Sequence, residues 1–237
     1  MIALAFDRVV KDYRGLRPLR VSNLSVAMGE RVALAGLDAP AAETFVNLAT
    51  GSALPDEGEV RVLEQATSAI TDGDDWLASL DRFGIVSHRA VLLEEVTVGQ
   101  NIALSFSLSI EPIPAGIFGK VEALADAVGI DRADLERAAS AVSAATRVRV
   151  HLARALALDP RVLVLEHPTL RVDRADAPVL GASIARAAEG RALAVIALTD
   201  DEELARGMDA IRLKLESSTG KVLSASRSLR RRLWGRR

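Results

Sequence analysis

The 237-residue sequence predicts a mixed α/β fold: a mostly parallel sheet with flanking helices, an antiparallel β edge subdomain and an inserted helical subdomain. Three observations carry that expectation. First, the runs 32–35, 162–165 and 193–198 are almost continuously apolar, as strands covered on both faces of a parallel sheet are. Second, helical patterns at 146–158 (TRVRVHLARALAL) and 175–188 lie between such runs, where crossover connections belong. Third, the opening segments FDRVVKDYRG and LRVSNLSVAMGERV are strand-length and separated by turn residues, which suggests antiparallel pairing.

Taken in order, the two opening segments form the antiparallel edge. The stretch LAGLDAPAAETFVNL, residues 34–48, then reads as the end of a strand, a loop entered at Gly36, and an amphipathic helix opening at Thr44. That is the outline of a phosphate-binding loop. Within it, Glu43 reads either as a first-turn acid that complements the helix dipole or as a carboxylate that binds a cation or cationic ligand in a reshaped pocket. The middle region, about 91–141, is helical by pattern, and Pro112, Pro114, Gly116 and Gly119 are expected to break it into pieces. These readings make 1–237 a single domain: core at 1–88 and 159–222, helical subdomain at 89–158, and a basic tail at 223–237.

Composition narrows the function classes. With 49% hydrophobic and 3% aromatic residues, the core must be built from Ala, Val, Leu and Ile. A net charge of −2 argues against a whole-surface nucleic-acid binder. The sequence has no cysteine, which excludes disulfides and cysteine-ligated zinc and fits a reducing compartment. No run of 18 apolar residues occurs, so no membrane span is expected, and Asp7 and Arg8 come too early for a secretory signal. The tail carries Arg227, Arg230, Arg231, Arg232, Arg236 and Arg237 beside Trp234. It reads first as a solvated terminus, next as a contact for anionic lipid, where each basic residue contributes about 1 kcal/mol, and third as a contact for nucleic acid.

The order of segments resembles the ATP-binding subunit of ABC transporters over about residues 2–222. Tyr13 in VVKDYRG falls where that family places an aromatic on adenine, and GERVALAGLDAPAAET resembles its strand and phosphate loop (Walker A). FGIVSHRAVLLEEVTVGQNIAL is similar to the Q-loop, and AVSAATRVRVHLARALALDPRVLVLEHPT to the signature motif, its helix and Walker B. VIALTDDEELA is similar to the switch region. The resemblance implies a P-loop NTPase-type core, ATP hydrolysis coupled to transport, and ATP with Mg²⁺ as cofactors. It also implies docking on an integral-membrane permease through a groove near 91–102, pairing with the same or another cassette, and a cytoplasmic place at the inner face of the membrane. Nucleic acid is not an implied partner.

Position by position, the chemistry departs from the family pattern. In the loop Gly36, Leu37, Asp38, Ala39, Pro40, Ala41, Ala42, Glu43, Thr44, alanines stand for the later glycines and for the lysine, and Pro40 lacks an N–H. Glu43 replaces the magnesium-binding hydroxyl, while Thr44 keeps the second hydroxyl. Losing the lysine removes charge-assisted hydrogen bonds of ~1.5–3 kcal/mol each. A carboxylate about 4 Å from phosphate adds repulsion on the order of 4 kcal/mol. His88 stands at the Q-loop glutamine and Glu166 at the Walker B aspartate. His167 stands at the general-base glutamate and Asp200 at the switch histidine. Ser143 of the signature is kept, but Ala144 and Ala145 replace its glycines. The expectation is a pseudo-ATPase subunit that keeps the cassette shape. An active hydrolase with atypical residues and a soluble scaffold are the alternatives. A histidine metal site is not expected, because no paired ligands accompany His88, His151 or His167. Thr146, Val150 and Arg154 share a helix face that is expected to meet a partner subunit.

Overall fold

The structure, a computed structural model, describes residues 1–224. The expectation of lipid contact through Arg227 to Arg237 lies outside them. The chain opens with β1 (Ile2–Lys11) and β2 (Leu19–Ala27), an antiparallel pair in register Phe6↔Leu24 and Val9↔Val21. β3 (Arg31–Ala35) follows, then α1 (Ala39–Ala49), β4 (Glu57–Val62) and β5 (Gln65–Ala66). β4 and β5 complete the first sheet, in the order β2-β1-β4-β5. Its period-two burial keeps one face on the core, as expected for an antiparallel sheet with a wet side.

After α2 (Gly73–Leu80) and β6 (Phe83–Ser87) come the helices α3 (Val98–Ala103), α4 (Ala115–Val128) and α5 (Ala144–Ala155). The chain then alternates through β7 (Val162–Glu166), α6 (Ala177–Glu189), β8 (Ala194–Leu198), α7 (Glu202–Gly207), β9 (Ile211–Glu216) and β10 (Lys221–Ser224). The second sheet has the order β10-β9-β3-β8-β7-β6, parallel throughout except for the β9–β10 hairpin. Every residue of β7 and β8 is buried, which explains the apolar runs 162–165 and 194–198; Glu166 closes β7 as a buried carboxylate.

The apolar residues divide between the two faces of this sheet. On one face, β1, β2, β4 and α1 pack, with the rings of Phe6 and Phe45 stacked at 4.3 Å. Such aromatic pairs add roughly 0.5–1.5 kcal/mol beyond the area they bury. On the other, α3 to α6 pack through Ile102, Val121, Val150, Leu152, Leu180 and Ile184. Among the described residues, no helix is long and apolar enough to cross a membrane.

Two local expectations are corrected. α1 begins at Ala39, not at Thr44. Asp38 caps it, and Pro40 fits the first turn because its missing N–H is one that a helix start leaves unpaired anyway. Glu43 is therefore past the first turn and is not a dipole acid. Gly116 and Gly119 do not break α4 but lie inside it. Burying Val121, Leu124, Ala125 and Val128 outweighs about 1 kcal/mol for each interior glycine.

The register fixes where function can sit. Ser87 lies opposite Glu166, Glu166 opposite Leu198, and Leu34 opposite Leu198. The carboxyl ends of β3, β6, β7 and β8 thus share one edge, the edge at which open parallel sheets hold their ligands. Gly36, His88, His167 and Asp200 all follow from it.

Candidate functional site

The loop after β3 takes its shape from two residues. Gly36 has φ +93°, and a Cβ there would collide with the carbonyl oxygen of Leu215, so glycine is required. Asp38 then opens α1: its Oδ1 accepts from Ala41 N–H at 2.9 Å, and its backbone carbonyl accepts from Ala42 N–H at 2.8 Å. Across the loop, Asp200 Oδ1 accepts from Gly36 N–H at 3.0 Å. Two backbone donors of the kind that cradle phosphate, those of Gly36 and Ala41, are here bonded to the chain's own carboxylates. Thr44 Oγ1 donates back to the Pro40 carbonyl at 2.8 Å, so its hydroxyl serves the helix.

A second group sits behind the loop. Arg89, just after β6, is bonded to Glu43 through Nη1 and to Glu166 Oε2 through Nη2, the latter at 2.8 Å. Its Nε donates to Ser87 Oγ at 3.3 Å. Glu166 is 1% exposed. Among the described residues its Oε1 and the Nε2 of His167 are buried without a hydrogen-bond partner. His167 has φ +43°, a region sparsely used by non-glycine residues and common where a site imposes strain.

Two cavities flank this centre. One, of about 640 Å³, is lined by Tyr13, Leu16, Arg17, Leu37, Asp38 and Pro40 among others. Tyr13 has its phenol pushed above its usual range, by burial first and then by the negative charge of Asp38. The other, of about 420 Å³, brings together His88, His151 and His167, with Leu92, Arg147 and Arg171 on its walls. The chain has three histidines, so all of them meet here, which their spacing did not suggest. His151 is pushed down to about 4, mainly by burial and secondarily by Arg154. It is a neutral imidazole at neutral pH. Among the described residues, no group of three His, Cys, Asp or Glu side chains is placed to hold a metal ion.

The signature-like residues lie at the start of α5. Ser143 caps that helix, accepting from Thr146 N–H at 3.1 Å, and Ala144 and Ala145 form its first turn. The face of Thr146, Val150 and Arg154, expected to meet a partner subunit, is largely covered within this chain. Thr146 and Val150 are buried, and Arg154 Nη1 donates to the Val91 carbonyl at 3.1 Å. A helical period identifies a shared face but not what covers it.

Sequence reasoning missed Arg89. The available signal was charge: two carboxylates, Glu43 and Glu166, at neighbouring buried or half-buried places require a cation.

Comparison with known proteins places this architecture. A model of the family described as ABC transporter matches residues 19–170, more than half of the chain. The chain belongs to the ABC transporter family. Within it, the phosphonates import ATP-binding protein PhnC of Anaeromyxobacter dehalogenans is 33% identical over 200 residues, 81% of this chain and 40% of that protein. The lipoprotein-releasing system ATP-binding protein LolD of Saccharophagus degradans is 30% identical over 207 residues, 86% of this chain and 90% of that one. The chain thus spans less than half of its PhnC relative. Among solved structures, cbiO1 from Clostridium perfringens, part of the ABC transporter complex cbiONQ, gives a TM-score of 0.77 at 17% identity. It covers 94% of this chain and 87% of cbiO1. The dimeric bacterial ABC transporter cassette MJ0796 gives 0.73 at 21% identity, covering 94% and 99%. These structural likenesses establish the cassette fold, a P-loop NTPase core with its antiparallel sheet.

Proposed function

We propose that this chain is a nucleotide-binding-type subunit of an ABC transporter that has lost ATP hydrolysis. It works by shape, docking on an integral-membrane permease at the cytoplasmic face of the membrane and pairing with another cassette. The observation that carries this reading is the state of the loop donors: Gly36 N–H and Ala41 N–H are bonded to Asp200 and Asp38. A triphosphate would have to displace two carboxylates and then lie beside them. Alanine at 42, fully buried, offers no cation in return. Near Glu43 and Glu166 the place for a divalent metal is taken by Arg89. The residues present do not fit Mg-nucleotide, and no hydrolytic step is assigned to them.

The dimeric MJ0796 cassette and the transport systems named for PhnC and LolD support the partner classes. The docking surface is narrower than the whole segment 91–102. Leu92, Val98 and Ile102 are buried in the core, whereas Val91 and Leu93 are 76% and 49% exposed. Asn101 pins the segment from beneath, accepting from Leu93 N–H and donating to the Leu93 carbonyl, both at 2.9 Å.

Calorimetric titration of the purified protein with Mg·ATP tests the reading. No saturable heat up to millimolar nucleotide is expected. Micromolar binding with turnover abolished at Glu166 or His167 would overturn it in favour of an active hydrolase. Charges at Val91 and Leu93 are expected to abolish co-purification with an integral membrane protein. Undiminished capture would remove the docking surface.

A further inference from the structure

We infer that Arg89 is a tethered cation standing in for a divalent metal, so that the Glu43–Glu166 pair is a cation site already filled by the chain itself. In P-loop NTPases the metal is held by the hydroxyl of the phosphate loop and by the Walker B acid. The equivalents here are Glu43 and Glu166, on α1 and at the end of β7, and they meet the two Nη atoms of one guanidinium. Ser87 Oγ receives the third N–H of the same group, which fixes its orientation.

The chemistry of the donor set explains the exchange. A hydroxyl and one acid leave room for waters and phosphate oxygens around a small divalent ion. Two acids, one of them 1% exposed, present more negative charge than the loop can hold without a permanent counter-ion. Arginine supplies one that is always protonated. Its planar fork of donors reaches two carboxylates at once. Unlike a metal, it is tethered to the chain and takes no oxygen into a coordination shell. Glu166 Oε1, without a partner among the described residues, is an acceptor that the guanidinium does not use. A divalent ion admitted there would have two acids from two elements as ligands, within the one-or-two-carboxylate sites that Mg²⁺ accepts and with the oxygen chemistry that Mn²⁺ shares.

Although this assignment extends the reading of a remodelled nucleotide site, it concerns metal without nucleotide, so the two can fail separately. Titration with Mn²⁺ alone, following loss of the free-ion electron paramagnetic resonance signal, tests it on the full chain. Wild-type protein is expected to bind no stoichiometric Mn²⁺, and its melting temperature to stay fixed as Mn²⁺ is added. Arg89→Ala is expected to bind one Mn²⁺ at least about tenfold more tightly and to gain thermal stability from it. Adding Glu43→Ala to that variant should remove the gain.

Stoichiometric Mn²⁺ binding by wild type that Glu166→Gln abolishes would overturn the assignment. So would folded Arg89→Ala that binds no better than wild type. If Arg89→Ala fails to fold even with Mn²⁺ present, the assignment also falls, because a metal then cannot replace the guanidinium.

Discussion

Replacing Arg89 with alanine isolates the energetic centre of the site. Glu166 is 1% exposed, and the bond from Arg89 Nη2 at 2.8 Å satisfies one of its two oxygens while the other has no partner among the described residues. Removing one member of a buried pair leaves an uncompensated charge, at about 3–5 kcal/mol. The Arg89 side chain is 40% exposed, so water entering the gap screens the carboxylate, and the lower end, about 3 kcal/mol, is expected. For Glu43, 48% exposed, the same removal leaves a solvated partner and costs below about 1 kcal/mol. In a domain of this size these losses correspond to roughly 6–12 °C and under about 4 °C in melting temperature. Glu166→Gln removes the buried charge, so Arg89→Ala in that background should cost about 1 kcal/mol or less. Urea denaturation at pH 7 followed by far-ultraviolet circular dichroism measures all four corners of the cycle. A loss below about 1 kcal/mol for Arg89→Ala, or the same loss with Gln at 166, would refute the reasoning.

Two further outcomes are expected. The native His151 imidazole titrates near 4, against 6.5 when unfolded. Between those values the unfolded chain takes up a proton that the native chain does not. Stability present above pH 6.5 is therefore lost as pH falls toward 4, by up to about 3 kcal/mol. His151→Gln should flatten this part of the melting-temperature profile, and an unchanged slope would assign the loss elsewhere. Asn101, fully buried, bonds Leu93 N–H and carbonyl and the Thr97 carbonyl at 2.9, 2.9 and 3.0 Å. Asn101→Ala is expected to cost about 2–3 kcal/mol and to speed amide hydrogen exchange at Leu93. Unaltered exchange there would mean that Asn101 does not hold the segment.

What could be read from sequence follows from the range of each interaction. β3, β7 and β8 were legible because double-sided burial writes itself into consecutive residues. The antiparallel edge was legible from its turns. The start of α1 had a local signal too, since Asp38 followed by Pro40 is a cap with a first-turn proline; reading those residues as loop misplaced the helix and gave Glu43 the wrong role. Arg89 had no local signal, because its two partners lie 46 and 77 residues away in sequence. The meeting of His88, His151 and His167 at one cavity was hidden for the same reason. It depends on how β6, α5 and β7 are stacked rather than on spacing within any of them.

The substituted residues are bound to one another, and this bears on why the fold persists without the usual polar set. Backbone N–H groups at the mouth of a parallel sheet need acceptors whether or not a ligand is present. In this chain Asp200 accepts from Gly36 and Asp38 from Ala41. Glu43 and Glu166 in turn hold Arg89. Each acid that looks hostile to phosphate is thus a partner for a group that phosphate or metal would otherwise satisfy. Restoring one position alone leaves its former partner unpaired, so the alternatives are separated by several coupled changes. The apolar framework does not enter that exchange. Phe6 and Phe45 belong to one apolar cluster and Leu163 and Leu165 to the other, so selection on shape can hold them while the centre changes.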